Sequence, residues 1–230
     1  MILTNASEIL RKMSHAAMRA GRQPDAVGLI AVSKTVPAER IREAMDAGLR
    51  VFGENRVQEA RDKIAACQAF AQGFAGVQWH MIGHLQKNKA KNAVQLFDLI
   101  HSVDSVALAD ELNRQAAKHG KIQRILVEVK LSGEETKQGI AEAGLAALIS
   151  HIRHCINLKL EGLMTMPPYD PDPEKARPYF RHLRELRDGL EKEGVSLPEL
   201  SMGMSHDFSV AIEEGATMVR IGTSIFGERS

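Results

Sequence analysis

Between residues 28 and 223 the chain repeats one local theme, a short apolar run rich in β-formers followed by a longer stretch with helical spacing. There are eight runs: GLIAVSK (28–34), VFGEN (51–55), WHMIGH (79–84), LIHSVD (99–104), RILVEVKL (124–131), LKLEGLMTM (158–166), ELSMGMS (199–205) and MVRIGT (218–223). Near-continuous apolar runs mark strands buried on both faces, and helices between such strands enforce parallel pairing through right-handed crossovers. Eight units of this kind predict a closed (β/α)8 barrel, with every strand but the last followed by a helix. A doubly wound open sheet is the alternative, but it typically opens on a GxGxxG turn, which does not occur here. Ahead of the first strand, Ile2, Leu3, Ile9, Leu10, Met13, Ala17 and Met18 recur at roughly helical spacing, with Asn5 or Ser7 as candidate caps. This stretch reads as an extra amphipathic N-terminal helix.

A chain of 230 residues suits one large barrel, and no linker divides it, so residues 1–230 are expected to form a single domain. The proline-rich MPPYDPDPEKARP (166–178) falls where a strand hands over to a helix and reads as a long βα loop. Thirty basic residues against 29 acidic ones give a net charge of +1, which provides no global field for gripping a nucleic acid. Cys67 and Cys155 are far apart and lack a CxxC or Cys/His pattern, arguing against a disulfide scaffold and a structural zinc site. No run approaches the roughly 18 apolar residues of a membrane span, and the charged opening does not suit a secretory signal. A cytoplasmic protein without membrane contact is expected.

In such a barrel, chemistry collects at the C-terminal ends of the strands. Lys34 ends the first run, where a desolvated amine loses basicity and can attack an aldehyde; a lysine that snorkels or pairs with a carboxylate is the structural alternative. The last two runs end in SMGMSHD (201–207) and RIGTSIFG (220–227), two adjacent loops of glycines and hydroxyls. Barrels often bind phosphate between the loops after strands seven and eight, which makes Ser201, Ser205, Gly222 and Thr223 candidates; tight turns with capping serines would look the same. Arg220 lies two residues before Gly222 and shares its facing, so it points inward and needs an acceptor, either Glu128 or the ring nitrogen of a cofactor. Glu54, Asn55, His80 and His84 also aim at this mouth, but the histidines lack a third metal ligand with convincing spacing. His151 and His154 read as a solvated helix face.

Taken together, AVSKT, FGENRVQE, WHMIGHLQKNK, KQGI, GLMTM, SMGMSHD and VRIGTSIFG resemble, in order from about residue 28 to 228, the pyridoxal-phosphate homeostasis family (YggS/PROSC). The resemblance implies the alanine-racemase-like barrel of fold-type III proteins, with pyridoxal 5'-phosphate held by Lys34 as a Schiff base. It also implies that Ser205, Gly222 and Thr223, with Ser201 nearby, hold the phosphate. Arg220 would face the pyridine nitrogen, keeping it unprotonated and weakening the ring as an electron sink. Asn55 would line the pocket near the ring, and Met204 and Met164 would pack its walls. His206 departs from the acidic or small residue common at that place.

Fold-type III racemases add a large β-domain carrying a second base, whereas this chain stops at Ser230, so two-base racemisation lacks evident machinery. The expected role is therefore binding, namely a carrier that buffers the cofactor and supplies apo forms of pyridoxal-phosphate enzymes. The enzyme alternative is a small amino-acid racemase or lyase using the same lysine, and a third reading is a phosphosugar-type barrel with no covalent cofactor. Loss of the racemase dimer interface favours a monomer. Lys89 and Lys137 are open between secondary cofactor sites and solvated charges.

Overall fold

The structure, a computed structural model, describes residues 1–134 and 138–227. Eight parallel strands close on themselves: β1 (Gly28–Val32), β2 (Val51–Glu54), β3 (Gln78–Met81), β4 (Leu99–Val103), β5 (Gln123–Lys130), β7 (Leu158–Met164), β8 (Glu199–Met204) and β9 (Met218–Ile221). A two-residue strand, β6 (Ile140–Ala141), adds to the edge of β5 outside the barrel. Pairing of β1 with β9 and of β4 with β5 seals the cylinder. The expected barrel is thus present, and its strands are the eight sequence runs, each ending a little before its run does. Lys34, Asn55, His84 and Ser205 consequently sit on the loops just beyond the strands, and Thr223 opens a short helix there.

Helices α2 (Ala38–Asp46), α3 (Val57–Ala71), α4 (Ala90–Leu96), α5 (Val106–Lys118), α6 (Glu142–Ile152), α7 (Arg177–Lys192) and α8 (Phe208–Glu213) form the outer ring. One difference from the sequence reading lies after the last strand, where Thr223–Phe226 form a short helix, α9, that follows Gly222 directly. Helix α1 (Ile2–Arg19) buries Ile2, Ala6, Ile9, Met13, Ala16 and Ala17, while Leu3, Leu10 and Met18 are exposed. The inward stripe is therefore narrower than the apolar spacing suggests. Asn5 does not cap the helix, which starts at Ile2; its Nδ2 donates to the Ile225 carbonyl at 3.0 Å and ties α1 to α9.

The main core lies between strands and helices, and a second small cluster of Ile30, Leu99, Leu126, Met164 and Met218 fills the barrel. Met164 is thus interior packing. Above this apolar layer the interior turns polar, with His101, Glu128, Ser201 and Arg220 all buried.

The register between β8 and β9 slips between Ser201 and Met204, and Gly203 sits there at φ +93°. A Cβ at Gly203 would lie 2.5 Å from the Ala211 Cβ and 3.0 Å from the Phe208 Cα, so the glycine lets α8 close onto β8. Gly203→Ala combines backbone strain with overpacking and is expected to lower the unfolding free energy by about 2–3 kcal/mol in urea titrations. An unchanged midpoint would mean the bulge relaxes freely.

Candidate functional site at the barrel mouth

Lys34, Thr35 and Pro37 from the β1–α2 connection, with Arg40 from the first turn of α2, face Gly222, Thr223, Phe226 and Gly227 across an open cleft. The register explains the meeting: Ala31 pairs with Ile221, so the next residues carry Lys34 and Thr223 out over the same rim. Lys34 is half-buried, and Thr223 is exposed at the first position of α9. The leading amides of a helix have no intrahelical acceptor, so this rim offers N–H groups outward. The Gly222 amide donates to the Ser205 hydroxyl at 3.4 Å, which joins the β8 and β9 loops as their spacing suggested. Arg40, which sequence reasoning missed, brings a second cation to this cleft. Its Nη2 donates to the Phe226 carbonyl at 3.1 Å, while its buried Nε has no hydrogen-bond partner among the described residues and lies 3.6 Å from Glu43.

Ser201 and Arg220 lie below this cleft, in the barrel. Arg220 donates to the Ser201 hydroxyl at 2.6 Å and to the Thr165 carbonyl at 2.9 Å. Burial pulls the guanidinium down to about 10, against the opposing pull of Glu128 and Asp207, so it stays protonated at neutral pH. The Ser201 hydroxyl accepts from Arg220. Gln78 Oε1, 3.4 Å from His80 Nε2, can only accept, which puts the His80 hydrogen on Nε2, leaves its Nδ1 to accept from His101, and so leaves Ser201 to donate to His101 Nδ1, 2.9 Å away. His101 then carries its hydrogen on Nε2 and donates to His80 Nδ1 at 3.1 Å. One direction of donation thus runs from Arg220 into the barrel. Burial pushes the Glu128 carboxyl up to about 7, and its Oε2 has no hydrogen-bond partner among the described residues.

The other predicted positions stand around the same mouth in separate clefts. Asn55 shares one with Arg56, His84, Gln86 and Lys89; a Cβ on Gly83 would meet the Asn55 carbonyl at 2.5 Å, so the two loops are in direct backbone contact. Lys89 is exposed there. Met204 borders a smaller hollow with Tyr169, His206 and Asp207, where the Tyr169 and His206 rings stand 5.6 Å apart. Asp207 accepts from the Met204 amide at 2.6 Å and so fixes the turn carrying Ser205. Lys137 lies outside the described residues.

The barrel histidines carry a pH signature. Burial pulls His80 down to about 3 and His101 well below its ordinary value, so both stay neutral in the folded chain. A folded value depressed below the unfolded one contributes stability that is present above about 6.5 and is lost as the pH falls. Between pH 7 and 5, His80 alone is expected to remove about 2 kcal/mol of unfolding free energy. Glu128, whose value is raised, acts oppositely over this range, so the informative comparison is wild type against His80→Gln. The variant should lose less stability on acidification; an identical loss would contradict the buried neutral histidine.

The fold and mouth define a class: parallel barrels that present a lysine at the end of the first strand beside a short helix after the last. The alanine racemase N-terminal domain family model matches residues 7–230. The pyridoxal phosphate homeostasis protein of Aquifex aeolicus is 51% identical over 224 residues, covering 97% of this chain and 96% of its own. Its counterpart in Escherichia coli (strain K12) is 41% identical, covering 99% and 97%. The structure of PipY of Synechococcus elongatus PCC7942 with PLP bound superposes with a TM-score of 0.85 at 38% identity, covering 99% of this chain and 100% of that one. The chain belongs to the pyridoxal phosphate homeostasis proteins within the alanine racemase N-terminal domain family.

Proposed function

We propose that this protein binds pyridoxal 5'-phosphate through Lys34 and serves intracellular vitamin B6 homeostasis. The observation that carries the reading is that Lys34, Gly222 and Thr223 line one cleft, with Arg40 beside them and the Ser205 hydroxyl on the Gly222 amide. The donor set fits the ligand: a primary amine for an aldehyde, and rim amides with a cation for a phosphate. Once bound, the ligand supplies an aldehyde that condenses with an amine and a ring that absorbs visible light. In this reading Ser205, Gly222 and Thr223 take the phosphate, and Arg220 faces the ring nitrogen. Ser201 acts by holding Arg220, and Asn55 and Met204 flank the ring from the neighbouring hollows.

The same reading makes the protein a carrier and not an efficient enzyme. Its relatives are named for homeostasis, and the only titratable side chains among the described residues lining the Lys34 cleft are Lys34 and Arg40. Arg40, the other titratable group there, stays protonated and does not serve as a base opposite the amine. Apo forms of pyridoxal-phosphate enzymes are the proposed recipients, with a monomer as the working unit.

No helix of the described residues is long and apolar enough to cross a membrane. The test is an absorption spectrum with pyridoxal phosphate before and after borohydride, followed by peptide mapping. A phosphopyridoxyl group on Lys34 supports the reading, and a colourless, unlabelled protein overturns it. Rapid racemisation or keto-acid release from L-alanine or L-serine would instead favour the enzyme alternative.

A further inference from the structure

Lys34 is carried by a turn with an unusual backbone. Among the described residues, Thr35 is the only non-glycine with a positive φ, at 63°, a conformation that β-branched residues avoid. Something must hold it, and the neighbouring unit does so from both sides. The Ser33 carbonyl accepts from Lys63 Nζ at 2.6 Å, and the Thr35 amide donates to Glu59 Oε1 at 2.5 Å. The peptide units flanking Lys34 are therefore gripped by an ammonium and a carboxylate that stand one helical turn apart on α3. The grip is itself anchored, since Lys63 also donates to Glu54 Oε1 at 2.7 Å and to Glu59 Oε1 at 2.9 Å. These contacts use all three Lys63 protons. Glu54, fully buried at the end of β2, accepts the Ser33 hydroxyl at 2.6 Å on the same oxygen. Burial pushes the Glu54 carboxyl up; it also acts on Glu59, but there Lys63 and the Thr35 amide outweigh it and hold that carboxyl below its ordinary value.

We infer that Glu54, Lys63 and Glu59 form a positioning clamp that keeps the Lys34 turn in its left-handed conformation and so sets the direction in which the amine meets an aldehyde. The inference deepens the proposed function and rests on it for the ligand, while the conformation of the turn is independent of any ligand. Lys63→Met would strand the buried Glu54 and risks unfolding the chain, so the decisive variant is Glu59→Gln, at the half-exposed end of the clamp.

Hydrogen exchange at the Thr35 amide, without ligand, and equilibrium uptake of pyridoxal phosphate are measured for wild type, Glu59→Gln and Glu59→Gln with Thr35→Gly. Glu59→Gln is expected to speed Thr35 exchange by about tenfold or more, because a neutral amide is a weaker acceptor than a carboxylate. It should weaken pyridoxal phosphate uptake by about tenfold, the size of effect set by backbone strain at one residue. Glycine adopts φ 63° without steric cost, so Thr35→Gly in that background should return uptake to within about threefold of wild type while exchange stays fast. Uptake that glycine does not restore, or a Glu59→Gln protein unchanged in both measurements, overturns the clamp. If wild type takes up no pyridoxal phosphate, the proposed function fails and exchange alone decides: a slow Thr35 amide released by Glu59→Gln sustains the clamp, and an amide already fast in wild type overturns it.

Discussion

Lys34→Ala is expected to abolish both the visible absorbance that pyridoxal phosphate raises in the wild-type protein and the borohydride-stable label. The effect should be total because, among the described residues, the cleft beneath the α9 rim contains one primary amine. Lys34→Arg sharpens the test. It keeps the charge and most of the length, but a guanidinium stays protonated at every accessible pH and does not replace an amine as nucleophile. Both variants retain the rim amides of α9 and the Ser205 hydroxyl, so phosphate-dependent binding should persist in weakened, colourless form, detectable by calorimetry. Lys34 is only half-buried on a loop, so both variants should melt close to wild type. The outcome that would sink the assignment is a label that survives at full yield on another lysine, such as exposed Lys89 at the cleft that Asn55 lines.

The barrel was legible because its strands are buried on both faces, which leaves uninterrupted apolar runs that periodicity cannot confuse with a half-exposed sheet. Strand ends were less so. The runs were read through Ser33–Lys34 and Gly222–Thr223, but the strands end at Val32 and Ile221, so the chemistry sits just past the strand ends. Helix α1 shows the complementary error. Leu3, Leu10 and Met18 carry the right spacing yet lie exposed, since the barrel offers α1 only the width filled by Ile2, Ile9 and Met13. The helix after the last strand escaped notice because four residues are too few to show a period.

At the site, Lys34, Gly222 and Thr223 were readable from position alone, as residues at the ends of the first and last strands that barrel closure must bring together. Glu59 and Lys63 were not, because an i,i+4 Glu/Lys pair on a helix ordinarily marks a solvated face, and only the fold shows that Lys63 is buried against the Lys34 turn. Arg40 was missed for a similar reason. The inward facing of Arg220 followed from the two-residue strand period, but its acceptors did not. Glu128 affects it through space, while its hydrogen bonds go to Ser201 and Thr165.

That partnership makes Arg220 the most consequential single residue in the interior. Arg220→Met keeps much of the volume and removes the charge, and three groups lose their arrangement at once. The Thr165 carbonyl loses a donor, the Ser201 oxygen loses the donor that holds it beside His101, and Glu128 loses the one cation that opposes its burial. Breaking a buried charge arrangement from one side typically costs about 3–5 kcal/mol, which is the expected loss in urea titration at pH 8. The cost should shrink at pH 5, where Glu128 is protonated and no longer needs a counter-charge. Glu128→Gln in the same background should recover part of the loss at pH 8 and little at pH 5, since a neutral amide needs no cation. If the double variant is as unstable as Arg220→Met at both pH values, the damage comes from Ser201 and Thr165 alone. Arg220 is then a hydrogen-bond donor to the barrel wall, not the charge that allows a carboxylate beneath the mouth.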